Sequence, residues 1–225
     1  MDGPSQTPAG AARVVSLQVG LPREVEYRGR IVTTGIFKEP VDRPLELRRF
    51  NLEGDGQADL SVHGGPDKAV YAYPYEHYPA WSEFVGRELA PGAFGENLTT
   101  EGLIETSVHI GDRFQVGTAV LVVTQPRMPC FKLGLRFGDP SIVRAFLEAG
   151  RPGIYFGIVE EGIVAPGDPI ERLEIDPQRI SVSTMNLAMN DRDAPRETLE
   201  ALLRIPALAQ TWREEFEERL GRVDG

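Results

Sequence analysis

The chain has 225 residues, of which 41% are apolar and 26% are charged, and its formal net charge is −10. These values are ordinary for a globular protein with one large domain, or one medium domain and a small appendage. The negative charge argues against nonspecific nucleic-acid binding, which depends on basic surface. No apolar run approaches the roughly 18 residues that a membrane span needs. We therefore expect neither nucleic-acid nor membrane partners.

The cellular compartment is predicted from the cysteine content and from the first residues. The chain has one cysteine, Cys130, which makes no internal disulfide and holds neither an iron–sulfur cluster nor a four-cysteine zinc site. Nothing near residue 1 has the pattern of a secretory signal. A reducing, cytoplasmic location is the expectation.

The first part of the chain is predicted to consist of strands. Residues 1–12 are small, polar or proline-rich and are expected to be a disordered N-terminus. Short runs rich in β-branched residues follow and predict strands: RVVSLQV, GRIVTTGIF, ADLSVHG and KAVYAYP.

Helices and a hairpin are predicted in the middle of the chain. Apolar residues at helical spacing predict an amphipathic helix within YEHYPAWSEFVGREL. RFQVGTAVLVVTQ predicts a β-hairpin that turns at residues 116–118. DPSIVRAFLEAG predicts a second helix, because Asp139 suits the cap and Gly150 suits the stop. GIYFGIVEEGIVAPGDPIERLE then returns to strands.

The pattern changes from strands to helices near Arg179. Three short helical patterns follow, STMNLAMN, PRETLEALLRI and PALAQTWREEFEERL, and Pro195 and Pro206 lie where the second and third are expected to begin. We predict a β domain over residues 13–178 and a three-helix unit over residues 179–225.

Cys130 lies in the segment QPRMPCFK. Free cysteine is among the most buried residue types, so a lone cysteine is most often a small core residue. This one follows a proline at the end of a predicted strand, and Arg127 and Lys132 are close in sequence. Nearby cations favour the thiolate, which attacks electrophiles and binds soft metals. From the residues alone, both interpretations of Cys130 stay open.

Two glycine-containing segments are further candidates. In DLSVHGGPDKAVYAYP, Gly64 and Gly65 allow backbone amides to approach a ligand, with His63 and Lys68 beside them. A structural Gly-Gly turn with solvated charges is the alternative, and the GxxxxGK[ST] phosphate-loop spacing is absent. In PGAFGENLTTEGL, Asn97 either caps a turn or binds a ligand.

Three segments in this order resemble the MOSC domain family: GRIVTTGIFKEPV, DLSVHGGPDKAVYAYPYEHYPAW and PGAFGENLTTEGLIETSVHIGDRFQVGTAVLVVTQPRMPCFKL. The similarity is strongest to the YiiM-like branch, and the helical patterns after residue 181 resemble the three-helix domain at the end of its members. The resemblance implies a mostly-β fold, a MOSC-type β-barrel with short helices at its rim, followed by the three-helix unit.

The resemblance also implies a cofactor and an activity. MOSC domains are associated with a molybdenum–pterin cofactor (Moco), whose metal would be held by Cys130 as both catalytic residue and metal ligand. YiiM-like proteins are linked to reduction of N-hydroxylated bases such as 6-hydroxylaminopurine, and so to detoxification. The candidate cofactor-binding residues are His63, Gly64, Gly65, Lys68, Asn97, Arg127 and Lys132.

The implied partners are a small N-hydroxylated substrate and an external electron-donor reductase, and a homodimer is also considered. An external donor is expected because the reduction consumes two electrons, and the sequence has no GxGxxG turn between a strand and a helix for a nicotinamide or flavin. One alternative is a non-catalytic carrier of the molybdenum cofactor or of sulfur. Another is a metal-free thiol enzyme with Cys130 as nucleophile and His63 as base.

Overall fold

The fold is dominated by β-strands. The computed structural model describes residues 12–58 and 65–223. The predicted disorder of residues 1–12 therefore lies outside the described part of the chain except at Ala12, which is ordered and accepts a hydrogen bond from Ile170 N. Within those ranges the strands are β1 (Arg13–Val19), β2 (Arg23–Tyr27), β3 (Arg30–Thr34), β4 (Glu39–Val41), β5 (Leu45–Arg48), β6 (Asn51–Leu52), β7 (Val70–Pro74), β8 (Leu98–Glu101), β9 (Arg113–Val116), β10 (Ala119–Pro126), β11 (Ile154–Glu160), β12 (Gly162–Val164) and β13 (Ile170–Glu174).

Eight of these strands form one mixed sheet in the order β13-β9-β10-β11-β7-β8-β1-β4. Neighbouring strands are antiparallel except for β7 and β8, which are parallel. Two small sheets lie beside it, one with the order β12-β5-β6 and one formed by the β2–β3 hairpin. The strands predicted within RVVSLQV and GRIVTTGIF and after residue 69 are confirmed, as is the β9–β10 hairpin. The strand predicted at ADLSVHG lies, from residue 59 onward, outside the described residues.

A closed barrel is not confirmed. The main sheet has two edge strands, β13 and β4, and no ladder joins them within the described residues. The sheet nevertheless curls, because the start of β1 contacts the start of β13. Val14 N donates to Asp168 O over 2.9 Å, and Ile170 N donates to Ala12 O over 2.8 Å. The architecture supported by the structure is therefore a mixed, sheet-dominated fold with helices.

The helices, within the described residues, are α1 (Tyr78–Val85), α2 (Phe131–Phe137), α3 (Ser141–Ala149), α4 (Val182–Asn190), α5 (Arg196–Leu203) and α6 (Gln210–Val223). Short 3-10 turns are found at Pro66–Lys68 and Tyr75–His77. The sequence did not predict α2, whose seven residues hold only one buried side chain, that of Leu133, so its apolar pattern is weak. None of the described helices has the length and apolar character needed to cross a membrane.

The three C-terminal helices share the core of the main sheet. Met185 of α4, Leu202 of α5 and Phe216 of α6 belong to the same buried cluster as Leu121 and Ile154 of the sheet. The predicted helices after residue 179 are thus confirmed, and they pack on the sheet. The third begins at Gln210 and not at Pro206, because residues 206–208 form a turn whose Leu208 N donates to Ile205 O.

A second buried cluster is aromatic and supports the loop after α1. The ring of Phe94 lies 4.4 Å from that of Tyr73, and Trp81 stacks on Phe146 with 5.5 Å between ring centroids. Such contacts between large rings stabilise a fold beyond the effect of burial alone. They fix one wall of the cavity described below.

Gly95, in the loop after α1, is required by both its conformation and its surroundings. Its φ is +76°, and a β-carbon there would lie 2.8 Å from Ile36 Cγ1 and 3.1 Å from Ile36 O. Gly150, at the end of α3, also has a positive φ, +63°, but a β-carbon there would meet nothing within 4 Å. Alanine substitutions at the two glycines therefore distinguish the effect of backbone strain alone from that of strain combined with a steric clash.

We predict that Gly95→Ala lowers the free energy of unfolding by about 2–3 kcal/mol, because it combines left-handed backbone strain with the clash against Ile36. Gly150→Ala should cost about 1 kcal/mol, from the backbone strain alone. Urea unfolding followed by tryptophan fluorescence measures both. Equal losses in the two variants would contradict the close packing of this loop.

Candidate functional site

A cavity of about 100 Å³ lies where six segments distant in sequence meet. Its lining residues are Thr34, Gly35, Ile36, Lys38, Asp55, Gly56, Gln57, Ala58, Lys68, Tyr71, Gly95, Asn97, Arg127, Met128, Cys130, Lys132 and Tyr155. Five of the residues predicted as site residues are in this set: Lys68, Asn97, Arg127, Cys130 and Lys132. His63 and Gly64 lie outside the described residues, and Gly65 is described but does not line the cavity.

Cys130 is placed at the cavity by the junction between β10 and α2. Its backbone is extended, with φ −132° and ψ 177°, and its carbonyl accepts the first bond of α2 from Leu133 N over 2.9 Å. Leu133 is fully buried in the aromatic cluster and anchors the helix. Cys130 is only partly buried and lines the cavity, so the interpretation of this cysteine as a core residue is not supported.

The charge of the cavity is opposite to that of the chain. Among the described residues that line it there are four cations, Lys38, Lys68, Arg127 and Lys132, and one carboxylate, that of Asp55. The chain as a whole carries a net charge of −10. Cations gathered in a concave site attract anions much more effectively than the same charges spread over a surface. The arrangement is therefore suited to an anionic ligand.

Arg127 is a buried cation held by aromatic rings. Its guanidinium lies 4.7 Å from the ring centroid of Tyr71 and 5.9 Å from that of Phe146, and its Nη1 donates to the carbonyl oxygen of Phe94. Among the described residues it makes no ion pair with a carboxylate. Cation–π contacts orient a guanidinium without neutralising it. Its remaining N–H groups can therefore bind an anion in the cavity.

Lys38, Asp55 and Asn97 form a hydrogen-bonded group in one wall. Lys38 Nζ donates to both carboxylate oxygens of Asp55 over 2.5 Å, and Asn97 Nδ2 donates to Asp55 Oδ2 over 2.9 Å. Burial lowers the pKa of Lys38, and the carboxylate of Asp55 opposes that effect. Asn97 Oδ1 accepts from Tyr71 N over 3.1 Å. Both the oxygen and the nitrogen of the Asn97 side-chain amide are thus hydrogen-bonded, and this amide orients Asp55.

The loop that carries Asn97 is organised by the carboxylate of Glu96. Its Oε1 accepts from Gly92 N over 2.7 Å, and its Oε2 accepts from Phe94 N over 3.1 Å. Oε1 also accepts from the hydroxyl of Tyr78, whose pKa is raised by burial, so this hydroxyl stays protonated and remains a donor. A buried carboxylate that accepts several hydrogen bonds fixes the loop around it.

Lys68 reaches the cavity from the 3-10 turn at Pro66–Lys68. Gly65 begins this turn with a φ of +93°, and Lys68 N donates to Gly65 O over 3.1 Å. Gln57 connects both ends of the turn, because its Oε1 accepts from Gly65 N and its Nε2 donates to Lys68 O. Gly65 thus shapes the turn, and its amide is already bonded. Burial lowers the pKa of Lys68.

Aromatic side chains lie next to Cys130 on the outer side. Phe131 is 47% exposed and stacks on Tyr27 of the β2–β3 hairpin with 5.8 Å between ring centroids. Met128, which lines the cavity, is also exposed. The exposed ring of Phe131, supported by the half-buried Tyr27, offers a stacking surface to a planar ligand.

Five residues at or beside the cavity were not predicted as site residues: Lys38, Asp55, Tyr71 and Tyr155, which line it, and Glu96, which organises the adjoining loop. Lys38 and Tyr71 lie in segments that carry the family resemblance, but no local pattern distinguishes them as site residues. Asp55 lies in a short irregular stretch, and Tyr71 and Tyr155 have the pattern of ordinary strand residues. The acidic residue in the GEN triplet was the available signal for Glu96, because a carboxylate between glycines and asparagine suits a turn. As to metal ions, residues 12–58 and 65–223 hold no group of three or more His, Cys, Asp or Glu side chains arranged to bind one.

Two family models match this chain. The model of the MOSC domain matches residues 59–171, and the model of the YiiM-like, 3-alpha helix domain matches residues 180–222. Among curated proteins, the uncharacterized protein YflK of Bacillus subtilis is 47% identical over 93% of this chain and 95% of its own length. A protein of Gibberella moniliformis named "Reductase" is 33% identical over 79% of this chain, and the aligned part is 32% of that longer protein.

The fold has the same architecture as a solved structure of this group. The crystal structure of YiiM from Geobacillus stearothermophilus superimposes with a TM-score of 0.79 at 36% identity, and the match covers 93% of this chain and 99% of the other. Identity at this level over nearly the full length of both chains indicates common descent as well as a common fold. The chain therefore belongs to the MOSC domain family, in the YiiM-like group whose members carry a C-terminal three-helix domain.

Proposed function

We propose that this protein is a molybdenum-cofactor-dependent oxidoreductase that reduces N-hydroxylated compounds, with bases of the 6-hydroxylaminopurine type as substrates and detoxification as the role. One observation carries the proposal: a partly exposed thiol and four cations line one cavity of a strongly acidic chain. Membership of the MOSC family and the name of the fungal relative support the assignment to reductases.

The residues of the cavity fit an anionic cofactor that carries a metal. A thiolate is a ligand for soft metals, and Cys130 is the one thiol of the chain. Arg127, Lys68 and Lys132 would hold the phosphate of the pterin, as charged donors do. His63 and Gly64 keep this role as a proposal that rests on the resemblance. We assign Gly65 and Asn97 to positioning, since their polar groups are already bonded within the protein.

The proposed reaction breaks an N–O bond and consumes two electrons and two protons, so the products are an amine and water. When bound, the cofactor supplies the two-electron redox change. The chain supplies binding, orientation and protons. Lys68 lines the cavity and has a pKa lowered by burial, so it can release a proton more readily than an exposed lysine.

A planar substrate is favoured by the aromatic surface beside the thiol. A purine ring placed on Phe131 and Tyr27 would be stacked next to Cys130, within reach of the cavity mouth. Stacking of a base on an aromatic side chain is worth roughly 1–3 kcal/mol and tolerates different bases. This explains how one enzyme could accept several N-hydroxylated bases.

The carrier alternative uses the same binding residues but requires no turnover. A carrier would bind the cofactor, or sulfur bound for it, and release it to another protein. Turnover of an N-hydroxylated base with an artificial electron donor separates the two functions, since a carrier gives none. For the metal-free thiol enzyme, metal analysis is decisive, and its proposed base, His63, lies outside the described residues.

We predict that Cys130→Ser loses bound molybdenum and activity while remaining folded. Serine nearly matches cysteine in shape, but it offers a neutral hydroxyl where a soft thiolate is needed. The measurement is molybdenum per chain after expression in a host that makes the cofactor, together with the melting temperature. Stoichiometric molybdenum and full turnover in the variant would refute the proposed metal ligand.

We predict that Lys68→Ala weakens cofactor retention by roughly 1.5–3 kcal/mol, the worth of one charge-assisted hydrogen bond. Its melting temperature should change little. Arg127→Ala should lower both cofactor retention and the melting temperature, because Arg127 also bonds Phe94 O and packs on two rings. Arg144→Ala, which removes an exposed cation on α3, is the control and should leave retention unchanged. A large loss of stability with normal cofactor content in Lys68→Ala would show that this lysine is structural.

We predict that the molybdenum-loaded protein reduces its substrate only when a separate reductase or small redox protein is added. NADH or NADPH alone should give no turnover. Because the chain is acidic, the docking face of the donor is expected to be basic, so turnover should fall as ionic strength rises. Robust turnover with pyridine nucleotide alone would disprove the need for a partner. Turnover that requires the donor but does not change with ionic strength would support a separate partner and contradict electrostatic docking.

A further inference from the structure

The turn that carries Lys68 into the cavity is attached to the last helix of the chain. Asp67 Oδ2 accepts a hydrogen bond from Gln210 N, the first residue of α6, over 2.9 Å, across 143 positions of sequence. The first N–H groups of a helix have no partners within the helix. A carboxylate at this end also faces the positive end of the helix dipole. Asp67 therefore caps α6.

The same turn is bonded to the sheet on its other side. The hydroxyl of Thr124, in β10, lies 2.6 Å from Asp67 O and 3.0 Å from Tyr155 O. The carbonyl of Thr124 accepts from Ala209 N, just before α6, over 3.4 Å. A β-carbon at Gly157 of β11 would lie 3.0 Å from Pro66 O, so the turn also packs closely on that strand. Sheet, turn and α6 thus meet at one point.

We propose that α6 is a positioning element of the cavity, in which the Asp67 cap holds the Pro66–Lys68 turn so that Lys68 faces the bound anion. The inference assigns a role to the three-helix unit, and the identity of the anion rests on the proposed function. Asp67 and Gln210 touch neither cofactor nor substrate in this arrangement. They are positioning residues that act through the backbone of Lys68.

Charge and geometry predict opposite effects at Asp67, which makes the role testable. The negative charge of Asp67 opposes anion binding in a nearby cavity, so removing the charge alone should tighten the binding of an anion. Removing the cap should loosen the turn and weaken binding. Asp67→Asn removes the charge but keeps a good capping oxygen, whereas Asp67→Ala removes both.

Two further variants complete the design. Gln210→Pro removes the backbone N–H of α6 that donates to Asp67. Proline is well tolerated at this position, because it is the first of the helix. Asp139→Ala is the matched control, because Asp139 Oδ1 accepts from Ser141 N over 2.8 Å at the start of α3 and does not line the cavity. It removes a cap of the same kind from a helix that the proposal does not involve.

The first measurement is hydrogen–deuterium exchange of the full-length, metal-free protein, read at the amides of residues 65–70. Asp67→Ala and Gln210→Pro should each raise exchange there by at least about fivefold, because the turn opens locally more often. Asp67→Asn and Asp139→Ala should leave this segment at the wild-type rate. Unchanged exchange in Asp67→Ala and Gln210→Pro overturns the proposal, and no ligand is needed for that result.

The second measurement is the affinity of the same proteins for inorganic phosphate, by calorimetric titration. Asp67→Ala and Gln210→Pro should bind phosphate about tenfold more weakly, with Asp67→Asn equal to or tighter than wild type. If Asp67→Ala and Asp67→Asn both bind more tightly, Asp67 acts through charge alone and the proposal fails. If the wild-type protein binds neither phosphate nor molybdenum, the proposed function fails, and the exchange rates still decide whether α6 holds the turn.

Discussion

One buried carboxylate, that of Asp55, holds together the segments that form the cavity. It accepts from Gly20 N over 2.9 Å, from Lys38 Nζ and from Asn97 Nδ2. Asn97 in turn is bonded to the backbone of Tyr71, on which Arg127 rests. An unpaired buried charge is strongly destabilising, so Lys38 and Asp55 each require the other. The end of β1, the wall around residue 38 and the loop at residue 97 therefore keep a fixed spacing.

This pairing also explains why the cavity stays positive. Asp55 is committed to Lys38, and Arg127 is oriented by rings and a backbone carbonyl without being neutralised. Among the described lining residues, an excess of positive charge is thus gathered in the cavity that Cys130 also lines. An anion bound there would lie in the same cavity as the proposed metal ligand. The physical basis of the proposed function is this combination of cations and a thiol.

The three-helix unit contacts both the main sheet and the turn that carries Lys68. Its helices complete the main hydrophobic core, and the start of α6 meets the turn of Lys68 and the strand of Thr124. Because α6 both packs on the sheet and is capped by the turn that carries Lys68, we infer that the three-helix unit influences the position of this cavity residue.

Local patterns in the sequence determined most of the elements. Strand, hairpin and helix predictions for β1, β7, β9–β10, α3 and α4 depend on neighbouring residues, and such signals are readable without tertiary contacts. The three segments that carry the resemblance together identified the MOSC family. Lys68, Arg127 and Lys132, predicted as cofactor-binding residues, line the cavity.

Features that depend on contacts between residues distant in sequence were decided only by the tertiary structure. Lys38 and Asp55 are 17 positions apart, and their pairing left no local pattern. The start of α6 was misplaced because its cap comes from Asp67 and not from a neighbouring residue. Asn97 and Gly65 proved to be bonded within the protein, which no spacing could indicate. Burial, hydrogen-bond partners and the net charge of a cavity are properties of residues brought together by folding, so they cannot be read along the chain.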